Sequence, residues 1–150
     1  MFDTARKVLT IAFASALLAA AAVLMLLPHR ALAEGALALG ITGDIAKDGY
    51  SIGINVNSKS NQDARDSALN WCKTHGAKQT EDKCQIVTTF HGQCVAEAQD
   101  PKPGTPGAGW AIAPDKDTAE KMAMTTCLAT AGKSRLDQCK IVASVCDGAP

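Results

Sequence analysis

Residues 64–87, ARDSALNWCKTHGAKQTEDKCQIV, and residues 119–142, AEKMAMTTCLATAGKSRLDQCKIV, are two versions of one pattern. Ala64, Ala68, Cys72, Cys84, Ile86 and Val87 each stand 55 positions before Ala119, Ala123, Cys127, Cys139, Ile141 and Val142. Two cysteines, two alanines and an apolar pair held in one register over such a length mark an internal duplication. The fold must therefore be built from one unit used twice.

Working outward from the pattern gives the unit. Tyr50, Ile52, Ile54 and Val56 alternate with small or polar residues, the period of a half-buried strand, and Trp110 with Ile112 repeats that rhythm in the second copy. Short apolar segments precede both, at 36–41 and at Cys94–Ala98, so each copy opens with a hairpin. The intervening turns, 42–49 and 100–107, are rich in Gly, Asp and Pro, which stop strands through their backbone preferences. A helix follows in each copy. Ser60 with Asp63, and Asp117 with Glu120, have the spacing of N-terminal capping pairs. Alanine, alanine and cysteine at intervals of four lie on one helix face, and small residues there let the helix lie close on a sheet. Trp71 borders that face and is expected in the core, as large aromatics are highly buried on average. The units close with strands over Cys84–Phe90 and Cys139–Val145. The predicted fold is α+β: two tandem strand-strand-helix-strand repeats, about 36–90 and about 94–146, sharing one sheet system in one disulfide-stapled domain.

All six cysteines, Cys72, Cys84, Cys94, Cys127, Cys139 and Cys146, follow the apolar N-terminus, and their number is even. In an oxidising compartment that reads as a disulfide framework. A pseudo-symmetric duplication narrows the connectivities without selecting one. The favoured set is Cys72–Cys84, Cys127–Cys139 and Cys94–Cys146. The first two pin the end of each helix to the following strand and should each stabilise by about 3 kcal/mol; the third, by about 4, is expected to tie one copy to the other.

The N-terminus places the chain outside the cytoplasm. Arg6 and Lys7 precede an apolar run over residues 8–27, and Ala31-Leu32-Ala33 offers a small-x-small cleavage site, so residues 1–33 read as a signal peptide and 34–150 as the mature domain. The run of about 20 residues is long enough for an uncleaved anchor, but Pro28 and the cleavage site favour removal. Localisation is then periplasmic or secreted, with no membrane attachment after cleavage. Residues 34–150 hold 12 basic and 14 acidic side chains, interspersed as in Glu81-Asp82-Lys83, and lack the clustered Lys and Arg that nucleic acid requires. Large aromatics are few, so the core is modest and cross-links supply what it lacks.

Cys72-x2-His75 and His91-x2-Cys94 form a mirrored pair of ligand-like spacings that would suit tetrahedral zinc. The second copy keeps its cysteines without either histidine, which disulfides explain and zinc does not. A thiol nucleophile must stay reduced beside a base, against the even, repeated cysteine set. The Gly104–Gly109 loop lacks the Lys-Ser/Thr of a phosphate-binding loop. Its proline-stiffened residues Pro103, Gly104, Thr105 and Pro106, with Trp110 beside them, remain as a contact surface or a structural turn.

Three stretches carry a family resemblance: Ala36-Leu37-Ala38, Phe90-His91-Gly92-Gln93-Cys94-Val95-Ala96, and Gly104-Thr105-Pro106-Gly107-Ala108-Gly109-Trp110-Ala111. They resemble the pattern of DUF4189, a bacterial exported domain of unknown function, over essentially all of 34–150. The resemblance implies an exported domain with paired cysteines and transfers no catalytic residues. The expected role is a non-catalytic binding or interaction module of the envelope or secretome, without cofactor, whose partner is a protein or envelope component. A small envelope enzyme with an unidentified site and a zinc protein using Cys72, His75, His91 and Cys94 are the alternatives.

Overall fold

The computed structural model describes residues 34–135 and 137–148. The segment read as a signal peptide, with its cleavage site after Ala33, lies outside the described residues.

The duplication appears as two β-β-α-β units. The first contains β1 (Glu34–Gly40), a short helix α1 (Ile45–Asp48), β2 (Ser51–Ser58), α2 (Asn61–His75), a 3-10 segment (Lys78–Lys83) and β3 (Gln85–Phe90). The second contains β4 (Cys94–Gln99), β5 (Ala108–Ala113), α3 (Lys116–Thr130) and β6 (Lys140–Cys146). Each unit forms its own three-stranded antiparallel sheet, ordered β2-β1-β3 and β5-β4-β6, with the first strand of the unit in the middle.

The expectation of one shared sheet system is corrected: the sheets stack face to face. Strand alternation gives the reason. On β1, Ala36 and Ala38 face α2, while Leu37 joins a second apolar cluster. On β4, Ala96 and Ala98 face α3, while Val95 joins the cluster with Leu37. Phe90, Ile52, Ile54, Val56, Trp110 and Ile112 complete this middle layer. Both central strands are thus buried on two sides, small residues toward the helix and larger ones toward the other sheet. The order is helix, sheet, sheet, helix. β2 crosses the second sheet obliquely, since Tyr50 at its start lies beside Trp110 of β5, with ring centroids 6.2 Å apart, and Asn57 near its end bonds Asp147 just past β6.

The small-residue helix faces do the work the spacing implies. Ala64, Ala68 and Cys72 are fully buried, as are Ala119, Ala123 and Cys127. A Cβ on Gly53 would run into the Ala68 carbonyl, and one on Gly109 into the Ala123 carbonyl, so helix backbone rests directly on strand backbone in both units. This close approach excludes a large side chain, and Trp71 is accordingly not core. It is 53% exposed and stacks on His75 one turn later, ring centroids 3.8 Å apart.

Ser60 caps α2 as expected, accepting the Asp63 N–H at 3.1 Å. On α3 the cap is Asp115 rather than Asp117, accepting the Thr118 N–H at 2.8 Å. The 55-residue displacement that relates the helices carries Ser60 onto Asp115, so the repeat itself points to this residue.

The disulfides are Cys72–Cys84, Cys127–Cys139 and Cys94–Cys146. The first two join helix end to following strand. The third does not tie the copies together: Cys94 and Cys146 are register partners on β4 and β6, neighbours within the second sheet. The units are joined instead by the apolar middle layer, by the Tyr50 hydroxyl bonded to Glu97 and Gln99 of β4, and by Asp147. Its buried carboxylate accepts the Asn57 N–H at 2.8 Å and the Gly92 N–H at 3.1 Å, while Asn57 accepts the Gly148 N–H at 2.7 Å.

Candidate functional site

The two hairpin turns meet at one end of the sandwich. In the first, Asp44 caps α1 by accepting the Lys47 N–H at 3.1 Å, and Gly49 ends it at φ 70°, a left-handed conformation that favours glycine. In the second, the Asp100 N–H donates to the Gly107 carbonyl at 2.9 Å and the Thr105 hydroxyl to the Lys102 carbonyl at 2.8 Å. Arg135 grips Asp100 through one edge of its guanidinium, with Nε donating to one carboxylate oxygen and Nη2 to the other at 2.7 Å. That bond holds the Asp100 carboxyl down at about 2 and keeps it charged as an anchor for the loop.

Between the turns lies an open cleft of about 280 Å³, lined by Ile45, Gly49, Tyr50, Ala77, Gln99 and the 100–105 loop. Pro103, Gly104 and Thr105 of the sequence-derived contact surface line this cleft. Pro106 does not, and Trp110 points into the middle layer against Tyr50 while bordering a separate groove with Met122 and Thr126.

Behind the cleft is a polar cluster. The Tyr50 hydroxyl shares its proton between the Glu97 carboxylate at 2.6 Å and the Gln99 side-chain oxygen at 3.0 Å. Glu97 is 8% exposed, and burial raises its pKa more than the Tyr50 hydrogen bond lowers it. Burial, with the adjacent Glu97 charge second, pushes the Tyr50 phenol strongly upward. The hairpin alignment puts Glu97 where β1 has Leu37, so the second unit carries a carboxyl on its inner face where the first carries an apolar side chain. Sequence reading took Cys94–Ala98 simply as an apolar strand and missed it. The signal was a charge flanked by Ala96 and Ala98, on the same strand phase as Val95.

The zinc alternative is corrected. Cys72, on α2 of the first unit, and Cys94, on β4 of the second, are each consumed by a disulfide. His75 stacks on Trp71 with Nδ1 at 2.7 Å from the Thr74 hydroxyl, while His91 Nδ1 stands 3.8 Å from the Asp147 carboxylate. No cluster of His, Cys, Asp or Glu suited to a metal occurs among the described residues. With all six cysteines paired, none is a free thiol nucleophile. Among the described residues no helix is long and apolar enough to cross a membrane.

No curated protein and no solved structure matches the chain. The family model described as a domain of unknown function, DUF4189, matches residues 35–146, a span that opens one residue into β1 and ends with β6. Apart from Glu34, both β-β-α-β units and all three disulfides fall inside it, and the chain belongs to the DUF4189 family.

Proposed function

We propose that this chain is an exported, non-catalytic binding module of the bacterial envelope or secretome, periplasmic or secreted, and that the cleft beneath the Pro103–Thr105 loop is its contact surface. The observation that carries the reading is the anchored loop. Arg135 and Asp100 fix its base, and Pro101 and Pro103 stiffen its course, so a partner would meet a wall already in place. The partner is a protein or an envelope component. Three disulfides on a small alanine-rich core support a site of action in an oxidising compartment.

Two measurements test this. N-terminal sequencing of the exported protein should begin at Glu34; a full-length membrane-bound chain would replace export with anchoring. A photoreactive residue at Lys102 should cross-link one discrete envelope component, and Thr105→Trp, which fills the cleft, should abolish that adduct. Adducts unaffected by the tryptophan, or formed equally from Thr88 on β3, would remove the cleft from the proposal.

A further inference from the structure

A second opening lies where β2 of one sheet parts from β6 of the other. It is a groove of about 220 Å³ walled by Ile52, Ile54, Ala143, Val145 and Trp71, with Glu97 lining it from β4. Glu97 is more than nine-tenths buried, yet one of its oxygens has only the Tyr50 hydroxyl. Among the described residues the other accepts no hydrogen bond and no cation pairs with the carboxylate. A charge buried without a counter-charge is costly to the fold. Here it faces an opening through which a counter-charge can arrive.

The walls specify the rest of the ligand. Four aliphatic side chains suit methylene groups and offer nothing to a polar stem. The indole of Trp71, half exposed at the rim, has one face stacked on His75, and a cation passing over the other would be favoured. An anion would be repelled by Glu97, and a neutral apolar ligand would leave the carboxylate unpaired. We propose that this groove binds a primary alkylammonium group, its methylene stem along Ile52, Ile54 and Val145 and its nitrogen at Glu97. Tyr50 acts as a positioning residue, holding the carboxylate toward the groove. Tyr50 and Gln99 also line the hairpin cleft, but the inference does not rest on the binding role given to that cleft. The chemistry has two sources, a free aliphatic amine or the lysine side chain of a partner protein.

The test is titration of the mature, disulfide-bonded protein, followed by the NMR methyl shifts of Ile52 and Ile54. n-Pentylammonium should saturate at concentrations on the order of millimolar, as suits so small a ligand, and 1-pentanol should bind at least about tenfold more weakly. Glu97→Gln, which keeps an acceptor for Tyr50, should leave the spectrum folded and weaken the amine about thirtyfold, without changing pentanol. Trp71→Ala should weaken the amine less. Nα-acetyl-lysine N-methylamide binding at least as tightly as pentylammonium identifies a lysine side chain as the natural occupant; weaker binding identifies a free amine. Equal response to amine and alcohol, undiminished binding by Glu97→Gln, or no saturable shift would each overturn the proposal.

Discussion

Glu97 is the residue at which the two units differ most in chemistry. Leu37 in the equivalent place packs into the middle layer, whereas Glu97 brings a carboxyl into it with a tyrosine hydroxyl as its hydrogen-bond donor. Burial raises its folded-state pKa above the ordinary 4.5. The folded protein therefore holds this proton to higher pH than the unfolded chain does. The resulting stabilisation is complete below the unfolded value and is lost as pH rises through the folded one. Glu97→Gln should accordingly stabilise the unliganded protein by about 1 kcal/mol or more at pH 7–8, the low end of what removing an uncompensated buried charge gains. The gain should shrink toward pH 4. Urea unfolding of both proteins at several pH values measures it, and a variant less stable at pH 7.5 would mean that the carboxylate is compensated in the folded state. Asp100 runs the opposite way. Its Arg135 bond lowers its pKa to about 2, so that interaction persists above the unfolded value and is lost only as pH falls toward 2.

At the scale of elements, both helices use one device: a stripe of small residues laid on a glycine-bearing strand and fixed at its end by a disulfide. Cys72–Cys84 and Cys127–Cys139 each span a sequence separation of 12, whereas Cys94–Cys146 spans 52. On the loop-entropy account, replacing both members of a short bridge by serine should cost about 3 kcal/mol, and replacing both members of the long one about 4. The location adds a distinction. Loss of Cys94–Cys146 should loosen the β4–β6 edge, and loss of Cys72–Cys84 the end of α2. Thermal unfolding combined with amide hydrogen exchange reads both quantities. Equal midpoints with protection lost throughout the domain in every variant would count against this assignment.

At the scale of the whole molecule, two sheets that share no strand pairing are held by the middle layer, by the Tyr50 hydrogen bonds to Glu97 and Gln99, and by a polar clasp at Asp147. Asp147 satisfies backbone donors on Asn57 and Gly92, two points of the first unit and the junction, from the C-terminal end of the second. Asn57 has φ 60°, a left-handed conformation that asparagine tolerates better than most residues, and it returns an acceptor to Gly148. Asp147→Ala would leave two amides without their carboxylate and should destabilise the domain by about 3 kcal/mol. Hydrogen exchange should accelerate at Asn57 and Gly92 before it does so in either helix. A melting temperature equal to that of the parent protein would show that the Asp147 clasp contributes nothing to joining the units.

The sequence by itself determined what is local or repeated. The 55-residue displacement defines the unit, interval-four alanines place the helix face, turn residues place the hairpins, and cysteine spacing agrees with the two short bridges. The α3 cap went the other way: the Asp117–Glu120 spacing pointed past Asp115, the residue onto which the repeat carries Ser60. Tertiary structure decided everything that depends on what covers the second face of a strand. Period-2 alternation tells which residues of β1 and β4 share a side, but a helix and another sheet both accept apolar neighbours, so stacking of two sheets could not be told from one continuous sheet. The same ambiguity left Trp71 in the expected core, although the helix backbone rests too close on Gly53 to admit it. It also hid Glu97, since whether its side chain meets water or the opposing sheet is fixed only when the two units pack.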